Sequence, residues 1–334
     1  MLFGDISSYV RGSISSGTWY LDDDGRLKAS RSTTVDPANF QNFCFEATDC
    51  FKLSSAPRGR RLLSKAFSLL PTLLREGHPR FLENLVDNLL QIRQQGFIEI
   101  CAMIQDHIAE LARTILPEQH IWCRICISIS ESDPDHAELL RRSWRCLADA
   151  FAYVSGRFSF TSIVNEAEMI HRLYGFTDPQ RAEKLLRGLL ADYEKTTEKM
   201  DDIALYVIET VADSTYSQGR CADAELLLED ALLRGREAGC LLRFREAFLV
   251  DRLSWAQYGL SKDDLAEESM RSAIALYTGK YTQADANIIS CSRTLEGWLR
   301  KWGRDAEADQ LLVEIDEAIG PDDIEIGTTL PSPT

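Results

Sequence analysis

An alanine recurs every 42 residues through the second half of this 334-residue chain, at Ala182, Ala224, Ala266 and Ala308. Its neighbours keep step. An acid follows each alanine (Glu183, Glu225, Glu267, Asp309), a large apolar residue comes four positions after it (Leu186, Leu228, Met270, Leu312), and another apolar residue comes seven after it (Leu189, Ala231, Ala273, Ile315). Positions i, i+4 and i+7 share one face of a helix, and a small residue on that face lets a second helix approach closely. A period of this length belongs to stacked helix pairs, each of which can bury its apolar face only against its neighbours. Gly219 and Gly303 lie two periods apart with Ser261 midway, each just before an alanine helix. Such a residue ends one helix in the left-handed conformation before the next begins.

The 45% hydrophobic composition supports a large core, and the length favours two domains or one extended array. The formal net charge of −15 opposes direct binding of nucleic acid or an anionic membrane. No apolar run is long enough to span a bilayer, and the opening residues Met1 to Asp5 lack a basic region followed by an apolar stretch, so no secretory leader is expected. Nine scattered cysteines, an odd number, read as reduced thiols of an intracellular protein.

Residues 1–58 read as a partly irregular amino-terminal segment, broken by Gly12, Gly17 and Gly25 and by the run Asp22 to Asp24. The only alternation that suits strands falls within residues 18–35. Asp36-Pro37 is a helix start, with Phe40, Phe43, Cys44, Ala47 and Phe51 facing inward. Residues 59–160 form a helical hairpin region. Leu62, Leu63, Ala66, Leu69, Leu70 and Leu73 make a stripe that Pro71 is expected to interrupt and His78-Pro79 to close. Two further stripes, Phe81 to Leu90 and Ile100 to Ile115, are joined through Gln95-Gly96, and helices follow over Asp135 to Tyr153 and Thr161 to Tyr174. Residues 161–320 hold the repeats, and the proline-bearing tail 321–334 is expected to be disordered.

The repeat half, best matched at Val211-Ala212, Gly219, Ala224, Leu228 and Ala231, is similar to tetratricopeptide-like repeats of the 42-residue kind. In the first half, Ser16 to Trp19, Asp22 to Gly25, His78 to Leu82, Gln95 to Phe97, and Glu118-Gln119-His120 with Cys123-Arg124 follow in order. Together these resemble the helical region downstream of the DNA-binding domain in fungal cryptic-loci-regulator (Clr-type) domain proteins. The resemblance implies a setting in fungal transcription or silencing. No basic, Trp-containing helical domain precedes Met1, so the resemblance implies a shortened member or a gene lacking its first exon, without its own DNA contact.

The chemical constellations are weak. Cys123 and Cys126 with His120 lack the second ligand pair of a structural zinc site, and read as buried thiols beside a capping or core histidine. Glu168 and His171 fit one half of a di-iron motif with no second copy. The consecutive acids Asp22 to Asp24 suit a solvated turn better than a calcium loop, and Gly279-Lys280 lacks the earlier glycine of a phosphate loop. No metal, cofactor or catalytic group is expected, and the chain is read as a non-enzyme. Arg58, Arg60, Arg61 and Lys65 form a small basic cluster, either a nuclear import signal or a solvated loop leading into a helix.

The expected fold is all-α: antiparallel helix hairpins stacked in a curved, tetratricopeptide-like solenoid. Tyr174, Tyr216, Tyr258 and Arg300 occupy one repeat position on the first helix of each pair, and Asp213, Trp255 and Arg293 lie near the same face. Aromatic residues and arginine are common interface anchors, so these seven are the candidates for a groove that holds a protein or peptide partner. The tyrosines equally suit packing between repeats, and Trp298 and Trp302, four apart, suit packing. The leading function is a protein-interaction adaptor of the nucleus or cytoplasm. The rivals are an enzyme or small-molecule sensor with a pocket between the helical halves, and a homodimer built on exposed Leu311 or Ile315.

Overall fold

A computed structural model describes residues 2–23, 25–31, 34–52, 55–78, 80–131, 136–175, 177–197, 200–278 and 286–319. The expectations for Asp24, Pro79, Asp135, Gly279-Lys280 and the tail 321–334 fall outside these residues. The described residues divide into two compact units, 2–161 with Ile319 and 162–318. The described residues hold fifteen helices and two three-residue strands, so the fold class is all-α.

In the first unit, α1 (Leu2–Ser15) precedes an antiparallel hairpin of β1 (Trp19–Leu21) and β2 (Leu27–Ala29). The amino-terminal stretch is therefore more regular than its glycines suggest. The turn into β2 is tied by the Asp22 side chain, whose carboxylate oxygen accepts from the Arg26 amide at 2.8 Å, and Gly25 takes φ +72°. Six helices follow: α2 (Pro37–Lys52), α3 (Ala56–Glu76), α4 (Phe81–Gln94), α5 (Ile98–Ile115), α6 (Ile121–Ser130) and α7 (His136–Ser155). Asp36 caps α2, accepting from the Ala38 amide at 2.9 Å. The expected break at Pro71 does not occur. Helix α3 runs through it to Glu76, with Leu70, Leu73 and Leu74 buried on either side, and burial of that stripe outweighs the one backbone hydrogen bond proline removes. The stop is Gly77 at φ +61°, whose N–H donates to the Leu73 carbonyl at 3.1 Å. Helix α4 is buried from Phe81 to Ile92 and packs against α2, α5 and α7. Around it Tyr9 stacks on Trp122 at 5.4 Å, and Trp122 meets Phe81 edge-on at 5.6 Å.

The second unit is a run of hairpins: α8 (Phe160–Tyr174) with α9 (Pro179–Glu194), α10 (Asp202–Tyr216) with α11 (Cys221–Glu237), α12 (Arg243–Gly259) with α13 (Asp263–Thr278), and α14 (Ala286–Lys301) with α15 (Asp305–Ile319). The second helices begin at Pro179, Cys221, Asp263 and Asp305, 42 residues apart. The periodic alanines are all fully buried, as a close helix contact requires. Gly219 and Gly303 both take φ +75° and Ser261 takes +57°, so the three equivalent turns use one left-handed conformation. Helices α9 to α14 pack each against the next in order, and α10 also packs against α12. Ile315 is buried and Leu311 is partly buried against the core formed by Ala266, Met270, Leu295 and Trp298. Neither is the exposed apolar end that a homodimer on these residues would need.

Candidate interaction site

The first helices of successive hairpins end in aromatic residues, and the short turns bring these ends together. Tyr216, at the end of α10, meets Trp255 of α12 edge-on at 6.5 Å. Trp255 in turn meets Trp298 of α14 at 5.3 Å. Tyr258 lies flat on Trp298 at 4.5 Å with 5° between the rings, and Trp302 closes the row 6.2 Å from Tyr258. Trp298 is buried and forms the centre, while Tyr216, Trp255, Tyr258 and Trp302 are each half-buried. Gly259 makes the close approach possible: a Cβ there would lie 3.3 Å from the Tyr216 ring and 2.5 Å from Cys221 Sγ. The row thus packs between repeats and still presents ring surface to solvent.

The seven sequence candidates separate into groups. Tyr216, Trp255 and Tyr258 share the aromatic row. Tyr174 carries the Arg181 guanidinium over its ring at 4.3 Å. Arg300 turns away from the tyrosines whose repeat position it shares; it pairs with Glu296 on its own helix and with Asp309 of α15 at 2.9 Å. Arg293 is half-buried on α14. Asp213 joins a charged set with Arg252, whose Nε lies 3.3 Å away.

That charged set escaped sequence reasoning. Arg245 is buried and bridges Asp202 at 3.0 Å and Glu209 at 2.7 Å, with its guanidinium 4.8 Å from the centre of the Tyr206 ring. The Tyr206 hydroxyl donates to Glu168, which also pairs with Arg172 at 3.2 Å. Burial, outweighing the attraction of Arg245, pushes the Glu209 carboxyl up to about 7. Burial also raises the pKa of Asp251 and, together with the Arg172 charge, lowers that of His171. Glu168 thus belongs to this network through Tyr206 and Arg172. Among the described residues no group of three or more His, Cys, Asp or Glu could hold a metal ion.

A second feature also escaped notice. The acid after each of the first three periodic alanines reaches the residue that precedes the second helix of the following hairpin. Glu183 pairs with Arg220 at 2.8 Å, Glu225 with Lys262 at 2.6 Å, and Glu267 with Arg304. Burial pushes Glu183 and Glu267 up, but hydrogen bonds from Gln218 and Arg187 to the first, and from Arg304 and Arg271 to the second, outweigh it and hold both carboxyls below the usual range.

The remaining motifs resolve simply. His120 caps α6, its Nδ1 accepting from the Trp122 amide at 3.2 Å, and Cys123 and Cys126 are buried. Arg58, Arg60, Arg61 and Lys65 lie on α3, not in a loop; all but Arg60 are half-buried, and Lys65 covers the Phe43 ring at 5.3 Å. No helix among the described residues is long and apolar enough to cross a membrane.

No protein-family model matches this sequence, and no curated protein matches it either. Among solved structures the chain is similar to a Podosopora anserina protein of nearly identical TPR-like repeats, described as a kinesin light chain, at 16% identity and a TM-score of 0.36 over 72% of this chain and 96% of that one. It is also similar to a Rap protein complexed with competence and sporulation factor, at 13% identity and a TM-score of 0.48 over 84% of this chain and 76% of that one. The chain's own period, turns and packing make the repeat unit a set of tandem helix hairpins.

Proposed function

We propose that this protein is a non-catalytic adaptor and that its repeat unit holds a segment of a partner protein along the aromatic row. The observation that carries this reading is the half-buried state of Tyr216, Trp255, Tyr258 and Trp302 around the buried Trp298. Four large rings from three successive hairpins offer a rigid apolar surface that loses little conformational freedom on binding, the usual composition of an interface centre. Tyr174, Asp213 and Arg293 are proposed as further contacts, and Arg300 as a weaker one, since it is committed to Glu296 and Asp309. Regulation of transcription or silencing in a fungal nucleus is the setting implied by the likeness to Clr-type proteins. The half-buried basic residues of α3 lend nuclear import no support.

The test is affinity isolation of the tagged chain from its native cells with mass spectrometry, beside a Tyr216→Ala, Trp302→Ala variant checked for wild-type helicity. A specific partner that is lost with the folded variant supports the reading. A partner retained equally by both proteins contradicts the assignment to the aromatic row.

A further inference from the structure

The repeat unit carries a second groove, on the other side of α12. Glu246, Val250 and Leu253 lie on the face of that helix opposite Trp255 and Tyr258. They line a groove of about 480 Å³ together with residues of α11 and α13. Its floor is apolar, formed by Leu232, Val250 and Leu253, all buried. Its wall is Leu233, which is 56% exposed, and Leu226, two turns earlier on the same helix face, extends the apolar stripe at 64% exposure. Leu233 and Leu226 thus leave an apolar stripe open to solvent beside the groove.

The rim fixes what can cover it. Glu229 and Glu268 stand on opposite sides of the groove, exposed and with no basic partner among the described residues. The one arginine in the lining, Arg236, is already neutralised by Glu246 at 2.7 Å. The surrounding unit has 30 Asp and Glu against 19 Lys and Arg over residues 162–318. A second copy of this chain, an acidic segment or an anionic membrane would therefore meet like charge at an otherwise suitable apolar slot. We infer that the groove between α11, α12 and α13 docks a basic amphipathic segment of a partner protein, which places an apolar side chain against Leu232 and Leu253 and Lys or Arg beside Glu229 and Glu268. The surface is separate from the aromatic row and does not depend on it.

A fluorescein-labelled amphipathic Leu/Lys helix tests this by anisotropy, with a Leu/Glu helix of the same pattern and an all-Lys peptide as controls. The wild-type chain is expected to bind the Leu/Lys helix, to ignore the Leu/Glu helix and to hold the all-Lys peptide about tenfold more weakly. Leu233→Lys and the double change Glu229→Lys, Glu268→Lys are each expected to weaken binding of the Leu/Lys helix about tenfold or more. Leu185→Lys, an equal change of charge on the exposed surface of α9, is expected to leave it within about twofold. Circular dichroism verifies that each variant is folded. Equal affinity across the variants, an equally tight hold on the all-Lys peptide, or no binding of the Leu/Lys helix by the wild-type chain would overturn the inference.

Discussion

Lys262 Nζ lies 2.6 Å from Oε2 of Glu225, and the two residues belong to neighbouring hairpins. The contact repeats one hairpin earlier between Glu183 and Arg220 and one later between Glu267 and Arg304. In each case the acid follows the buried alanine and the base precedes the next alanine helix, so the pair spans the junction of two repeats.

Lys262→Gln leaves the largely buried Glu225 carboxylate without its cation. The expected loss is about 1–2 kcal/mol in urea denaturation, with the double change Glu225→Gln, Lys262→Gln losing less than the sum of the single changes. Additive losses would mean that the pair does not act as a unit.

The two classes of carboxylate respond to pH in opposite directions. Glu183 and Glu267 have lowered pKa values in the fold, so their share of stability is present above the unfolded value of about 4.3 and is lost as pH falls through the folded value. Glu209 is raised to about 7, so its share is present below the unfolded value and is lost as pH rises toward 7. Between pH ~4.5 and ~7 the wild-type chain should lose up to about 3 kcal/mol relative to Glu209→Gln. Urea midpoints for both proteins across that range check this; parallel profiles would show that Glu209 does not titrate there.

Ser261 occupies a left-handed position that glycine fills at the two equivalent turns. Ser261→Gly removes the Cβ strain and should stabilise the chain by about 0.5–1 kcal/mol, net of the extra freedom glycine gives the unfolded state. A lower melting temperature for the variant would contradict the equivalence of the three turns.

Tyr258 is held by its flat contact with Trp298 more than by the 3.2 Å hydrogen bond its hydroxyl accepts from Lys301. Tyr258→Phe should therefore change stability by less than about 0.5 kcal/mol, whereas Tyr258→Ala should cost about 3 kcal/mol and redden tryptophan emission as Trp298 is uncovered. Equal effects of the two changes would move the weight to the hydroxyl.

The parts of this fold that the sequence makes legible are those where geometry leaves one choice. A buried helix contact at Ala182, Ala224, Ala266 and Ala308 admits little else, and the turns at Gly219 and Gly303 need a positive φ, so both recur on the period. The row Arg220, Lys262 and Arg304 keeps the same period beside an acid row already visible in the sequence, and their junction contact was there to be found. Arg245, Glu209 and Arg252 follow no period; a charge on a helix is ordinarily solvated, and only the folded packing shows these three meeting indoors. Arg300 shares the tyrosines' position but not their chemistry: its long guanidinium takes the acids within reach on α14 and α15. At Pro71 the local rule for proline yields to the leucine stripe around it.

The most direct measurement of the adaptor function is photo-crosslinking in native cells, with a benzoylphenylalanine introduced singly at Tyr216, at Trp302 and, for comparison, at the exposed Leu185 of α9. A protein partner on the aromatic row should crosslink as the same species from positions 216 and 302 and not from 185. Crosslinks that favour position 185, or no protein adduct from either aromatic position, would contradict it.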